Sequence, residues 1–329
     1  MNTLKIFFTA LTCALASCAN KSTNGTESHT ASSPVVSAPD FNADSAYRYV
    51  EQQVAFGPRV PNSPAHKACG DYLTGELKRF GAQVYVQEMI LTAYNGDRLQ
   101  ARNIIGSYDA GNPRRILLFA HWDSRPYADN DTDPATQRIP IDGADDGASG
   151  VGVLLEIARQ IGGQAPEAGI DIIFFDAEDY GVPAFDNRNY QQNSWWCLGS
   201  QFWAKNPHTP NYRAEYGILL DMVGTKDATF PKEETSVRRA SFLVDKVWSA
   251  ARNLGYGKYF VNSRGGYITD DHQYVIAGRN IPCIDIINYS IDNTHGFGDY
   301  WHTHNDTMDH ISWETLKAVG QTVLEVIYK

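Results

Sequence analysis

Positive charge is scarce in this 329-residue chain. It has 28 lysines and arginines against 38 aspartates and glutamates, for a formal net charge of −10. Nucleic-acid phosphates bind basic faces, so nucleic acid is excluded as a general partner. Cysteine is sparse as well: there are five, none in a CxxC pair, so the chain carries no disulfide framework. Long apolar runs are missing, and the N-terminal run Ile6–Ala16 is too short to cross a bilayer as a helix. From Phe41 onward there is no long linker, repeat or low-complexity stretch, and residues 41–329 read as one α/β domain. A composition 43% hydrophobic and 12% aromatic supplies a sizeable core for it.

The first forty residues are of another kind. Met1–Lys5 is a short positive start, and the apolar run ends in Leu15-Ala16-Ser17-Cys18. That small-residue step before a cysteine resembles the lipobox of bacterial lipoproteins, which implies a signal peptide over 1–17 and a lipid on Cys18. The rest of 18–40 is Ser, Thr, Asn, Ala and Pro with almost nothing to bury, and it reads as a flexible leash spanning roughly 25 Å. The expectation is an extracytoplasmic, periplasmic domain tied to a bacterial membrane through its lipid alone, with a monomer favoured. Cys69, Cys197 and Cys283 remain, and they allow one disulfide without specifying which.

Helical spacing alternates with short apolar β-rich runs, the pattern of a mixed, mostly parallel twisted sheet with helices on both faces. Val50 and Val54 close a helix stopped at Gly57-Pro58, and a second helix covers Ala65 to Phe80. Gln83–Leu91 and Ala101–Ser107 read as an antiparallel pair. Buried strands are expected over Arg115–Ala120, Ile170–Phe175, Tyr216–Leu220 and Ile281–Ile287. A helix follows Gly143-Ala144-Asp145-Asp146, and the last one starts at the N-cap Ser312, turning Leu316, Val319, Val323 and Ile327 inward.

Strand after strand ends in acids or histidine: His121 and Asp123, then Glu178 and Asp179, then Asp221. Ligands of open α/β sheets bind outside the carboxyl ends of the strands, so parallel neighbours bring these groups to one edge. Crowded buried carboxylates repel, and a divalent cation resolves the conflict. Mixed oxygen and imidazole donors suit zinc.

These segments carry a family resemblance. His121-x-Asp123-Ser124, Gly143-Ala144-Asp145-Asp146-Gly147, Glu178-Asp179, Leu220-Asp221-Met222 and Trp301-His302-Thr303 resemble the zinc aminopeptidases and their relatives, the glutaminyl cyclases. The aminopeptidase pattern implies two zincs on His121, Asp146 as bridge, Asp179, Asp221 and His302. The cyclase pattern implies one zinc per chain on Asp146, Asp179 and His302. Three features resemble the cyclases: the segment from Gly265 through Asp270 to His272, Trp301 directly before His302, and the block from Trp196-Cys197 to Asp221. His302-Thr303-x-x-Asp306-Thr307 is closer to the aminopeptidase form. Asp179 stands where many relatives carry Glu, and Asp285 where animal cyclases carry histidine.

The cyclase resemblance implies conversion of an N-terminal glutamine to pyroglutamate with release of ammonia. Glu178 is then the proton shuttle, sharing protons with Asp221 and Asp270, and Trp301, Phe297 and Ile268 form the pocket wall. His121 and Asp123 stay open between outer support and metal ligand. The competing readings are a di-zinc aminopeptidase and a non-catalytic lipoprotein that binds peptides.

Overall fold

The computed structural model describes residues 37–188, 195–293 and 295–329. The leader, Cys18 and the leash expected over 18–40 as far as residue 36 lie outside the described residues, as do residues 189–194 and 294.

Two helices open the described chain. Helix α1 (Ala43–Val54) is capped by Asn42, whose side chain accepts from Ser45 N, and α2 (Pro64–Arg79) is capped by Ser63 with proline at its first position. Strands β1 (Gln83–Thr92) and β2 (Arg98–Tyr108) pair antiparallel. Then come β3 (Arg115–His121), α3 (Ala148–Gly163) and β4 (Gly169–Phe175), followed by α4 (Leu198–Lys205) and β5 (Tyr216–Asp221). Helix α5 (Glu234–Asn253), α6 (Asp271–Arg279), β6 (Cys283–Ile287) and α7 (Trp313–Ile327) complete the order. Ser312 caps α7 as its sequence predicts, accepting from Thr315 N. The sequence reading assigned no element to α4, α5 or α6.

The sheet order is β1-β2-β4-β3-β5-β6. β3 runs parallel to both β4 and β5, and β5 runs parallel to β6, while β2 meets β4 antiparallel. The central strands alternate their side chains between two cores, which is why they read as unbroken apolar runs. Leu118, Ile172 and Ile218 face the core built by α1, α3, α5 and α7. Leu117, Phe119, Ile173 and Leu219 face a smaller core with Trp203 of α4 and Val275 of α6. Each such fully buried side chain contributes about 1.5–3 kcal/mol.

One topological detail positions the site. After β3 the chain goes to one side to lay down β4, then crosses to the other side for β5. The crevice at this reversal lies off the carboxyl end of β3, where an open α/β sheet binds its ligand. Gly147 lets α3 start against it: φ is +98°, and a Cβ there would sit 2.5 Å from the Asp123 carbonyl oxygen.

Candidate metal centre and active site

Three strand ends deliver the chemistry. His121 is the last residue of β3, Glu178 and Asp179 follow β4, and Asp221 is the last residue of β5. Asp146 comes from the turn before α3, Asp270 is the N-cap of α6, and His302 sits in the loop before α7. Four non-glycine residues here have left-handed φ: Ala177 (+52°), Cys197 (+56°), Met222 (+46°) and His302 (+56°). Such strain concentrates where a site needs side chains aimed against local preference.

Asp146, Asp179 and His302 converge, each buried, with one donor atom apiece lying within 4.8 Å of the others. His302 Nε2 is 3.2 Å from Asp179 Oδ1 and 3.5 Å from Asp146 Oδ2. Zinc bonds of about 2.0–2.1 Å in tetrahedral array would separate ligand atoms by roughly 3.3 Å, so these edges suit zinc. Asp179 Oδ2 is buried and makes no hydrogen bond, an oxygen left without a partner in a site rich in acids. The residues present therefore fit the cation.

The supports around this triad are specific. Behind His302, Nδ1 faces Asp129 Oδ1 at 3.5 Å, and Asp129 is gripped by Arg125 through two bonds of 3.0 and 2.7 Å. A carboxylate behind a ligating imidazole fixes its ring and tautomer. Burial works against the charged form of Asp129, but His302 and Arg125 outweigh it and hold the carboxyl well below its usual range. Arg125 also donates to the Asp179 carbonyl at 2.8 Å and lies 4.6 Å from the Trp196 ring. Two further aspartates act as backbone clamps. Asp123 accepts from Glu178 N (3.0 Å) and Asp179 N (3.2 Å), and Asp306 accepts from Asp145 N (2.8 Å) and Asp146 N (3.0 Å). Charge-assisted bonds of this kind contribute about 1.5–3 kcal/mol each. The carboxylate of Asp123 is thus spent on the main chain, which places it outside the donor set.

A second donor set shares Asp146. His121 Nε2 lies 3.0 Å from Asp146 Oδ1 and 3.2 Å from Asp221 Oδ1, while Nδ1 lies 3.5 Å from Asp123 Oδ1. Burial opposes charging of His121, but Asp123, Asp146 and Asp221 outweigh it and raise the imidazole well above its ordinary range. His302 behaves alike: burial opposes its charge, Asp179 outweighs it, and the group is pushed up to about 9.

The triad opens into a pocket of about 360 Å³. Asp146, Glu178, Asp179, Asp221 and Asp270 line it with His302, and among the described residues no lysine or arginine does. Burial, followed by the charges of Asp179 and Asp270, raises the Glu178 carboxyl well above its ordinary value despite the counteracting His121. Burial and then Asp221 do the same to Asp270, whose Oδ1 caps α6 through Asp271 N at 2.5 Å. A carboxyl that can hold a proton near neutral pH is equipped for acid–base work. Met222, Ile268 and Ile287 form an apolar cluster with Tyr289, Phe297 and Trp301 packed on it. Trp301 stacks on His302 with ring centroids 3.7 Å apart. A larger open groove of about 980 Å³ between α2 and β1–β2 holds none of these groups, so size alone does not pick the site.

A family model for peptidase family M28 matches residues 103–327, which take in all of these side chains. The chain belongs to peptidase family M28. Zinc is accordingly the metal supported for this M28 member, and Asp146, Asp179 and His302 form one of the donor groups close enough to hold an ion. Among solved structures, the chain is 68% identical to Tannerella forsythia glutaminyl cyclase, covering 88% of this chain and 99% of that one with a TM-score of 0.87. It is 70% identical to a Zn-dependent exopeptidase from Parabacteroides distasonis ATCC 8503, covering 89% and 99% with a TM-score of 0.88. Aminopeptidase YwaD of Bacillus subtilis is 26% identical over 83% of this chain and 54% of its own length. The chain spans about half the length of the curated relatives it matches.

Every site residue expected from the sequence lies at this one edge of the M28 sheet; Cys18 is outside the described residues. Sequence reasoning missed Arg125, Asp129, Trp196 and the clamp made by Asp306. The Arg125–Asp129 spacing of four was visible, but nothing local tied it to a histidine 173 residues away. It left Asp285 without a role; that residue is buried, with both oxygens making no hydrogen bond, beside the buried His272. Cys69, Cys197 and Cys283 are all free and buried, so the disulfide that the cysteine count allowed is not formed.

Proposed function

We propose that this M28 member is a glutaminyl-peptide cyclotransferase, acting on peptides or proteins with N-terminal glutamine and using one zinc per chain. The observation that carries this reading is the Glu178 carboxyl, set beside a buried zinc triad at the floor of a small pocket walled by Trp301, Phe297 and Ile268. The likeness to proteins named glutaminyl cyclase from Tannerella forsythia, Bacteroides thetaiotaomicron and Porphyromonas gingivalis supports it.

Asp146, Asp179 and His302 would hold the zinc, which would supply Lewis acidity toward a carbonyl oxygen. The chain's own residues do the rest. The apolar wall sizes the pocket for one glutaminyl side chain and excludes water that would otherwise hydrolyse the amide. Holding the α-amine against its own γ-amide makes the attack intramolecular, the most favourable arrangement for ring closure. The amine nitrogen bonds to Cδ, the carbonyl carbon of the side-chain amide, and the bond from that carbon to the amide nitrogen breaks. Glu178 takes the proton from the amine and returns one to the departing nitrogen, which leaves as ammonia. Burial first, and then the charges of Asp179 and Asp270, raise the proton affinity of Glu178, and Asp221 raises that of Asp270 in turn.

The count of one zinc follows from the cyclase resemblance, in which Asp146, Asp179 and His302 are the ligands, while His121, 3.0 Å from Asp146 Oδ1 and 3.2 Å from Asp221 Oδ1, supports them from outside. The aminopeptidase reading has its own support, since His121, Asp146 and Asp221 also lie within 4.8 Å of one another. A peptide beginning with glutamine separates the two. The cyclase leaves a full-length blocked peptide lighter by one ammonia; the aminopeptidase frees glutamine and shortens the chain. Free glutamine together with two tightly held zincs would overturn the proposal. The lipid on Cys18 and the periplasmic placement rest on the lipobox alone, and metabolic labelling with a fatty acid, lost in C18S, tests both the anchor and the export it requires.

A further inference from the structure

Cys197 has no role in the reaction described above. A buried thiol ordinarily packs as a small hydrophobe, but this one sits among acids. It is fully buried, and its Sγ lies 3.0 Å from Glu178 Oε1. Donor atoms of Cys197, Glu178 and Asp270 all fall within 4.8 Å of one another. The thiol has a hydrogen to give and the carboxylate oxygen accepts it, so Cys197 is the donor.

The backbone makes the contact a two-point grip. Cys197 N donates to the Glu178 carbonyl at 2.9 Å, and the next two amides, Leu198 N and Gly199 N, donate to Ala177 and Asp176 at 3.0 and 2.9 Å. The start of α4 is thereby zipped along the loop that carries Glu178. Gly199 permits the approach, because a Cβ there would stand 2.2 Å from the Asp176 carbonyl oxygen. Cys197 itself adopts φ +56° and makes no side-chain cap to its own helix. Glycine takes that backbone without penalty. A side chain held at a strained position, turned away from the helix it precedes and toward the proton shuttle, serves the shuttle.

We infer that Cys197 is a positioning residue: its S–H fixes Oε1 of Glu178 and reserves Oε2 as the oxygen that carries the proton between the two substrate nitrogens. The inference rests on the cyclase reading for its kinetic consequence but not for the contact itself, and the experiment separates the two. C197A and C197S, with the wild type, are compared on a peptide with N-terminal glutamine, alongside zinc content and thermal stability. C197A should lower kcat about tenfold, the effect of one lost bond to a charged group, with KM within about twofold and zinc unchanged. C197S, whose hydroxyl can still donate, should recover most of the loss. Independently of turnover, the infrared S–H stretching band that disappears in C197A should shift in E178Q.

Equal impairment of C197A and C197S together with lowered stability would reduce Cys197 to packing and overturn the inference. So would a C197A enzyme with wild-type kcat, or an S–H band indifferent to E178Q. A wild type that releases no ammonia while the S–H band still shifts would overturn the cyclase reading and leave the contact standing.

Discussion

Two donor sets share Asp146, and they differ in what surrounds them. On its Oδ2 side, His302 and Asp179 meet it at an edge that opens into the pocket, and Asp179 keeps an oxygen without a hydrogen bond. On its Oδ1 side, His121 lies within hydrogen-bonding distance of Asp146 and Asp221, with Asp123 at its other nitrogen. Both sets pair a histidine drawn toward its charged form with carboxylates that line the pocket, and they differ in the atom left without a hydrogen bond: Asp179 Oδ2 in the first, His121 Nδ1 in the second. On the one-zinc reading proposed above, the first is the open set that holds the metal and the second a closed set that supports it. Donor identity alone does not fix the metal count.

The sharpest way to break this contrast is to remove one histidine from each side. H302A should lose tight zinc and at least about 10³-fold in kcat/KM, equivalent to some 4 kcal/mol of transition-state stabilisation, read by metal analysis and steady-state kinetics. Next in size is E178Q, which keeps shape but cannot take a proton: kcat should fall roughly 10²–10⁴-fold while zinc content and the unfolding midpoint hold. If E178Q turned over normally, proton transfer would have to be reassigned.

Acidity probes the open set in a graded way. A metal-free His302 pushed up to about 9 carries its proton at neutral pH, and zinc must displace it. Apparent zinc affinity should therefore rise about tenfold per pH unit up to about 9 and level off above, as followed by competition with a chelator. A flat profile from neutral to alkaline pH would show that His302 is not the proton released. The smallest effect is expected on the closed side: H121A should keep its zinc stoichiometry and lose roughly tenfold in kcat/KM, the cost of a missing outer support. Loss of one of two zincs in that variant would erase the distinction between the sets.

Local signals carried the reading a long way. The strand ends His121, Glu178-Asp179 and Asp221 were legible because unbroken apolar runs stop abruptly at acids, and Ser312 announced α7 as a polar cap before helical spacing. Helices α4, α5 and α6 were not legible in the same way. α5 contains a non-helical residue at Ala240 that interrupts its turn-by-turn pattern, and α4 and α6 are 8 and 9 residues long, too short for periodicity to stand out. The apolar wall of Trp301, Phe297 and Ile268 came from resemblance, since aromatic residues pack in cores as readily as in pockets.

The chemistry on offer is written in the chain: an acidic α/β domain, oxygen and imidazole donors at strand ends, and the motifs of one enzyme family. Those follow from residue type and short-range spacing, which survive in one dimension. Which oxygen of Asp146 faces which histidine, and which aspartates are turned away to grip amides, emerges on folding. Such choices depend on orientation between segments far apart in the chain, 160 residues for Asp146 and Asp306, and no local pattern encodes a direction in space.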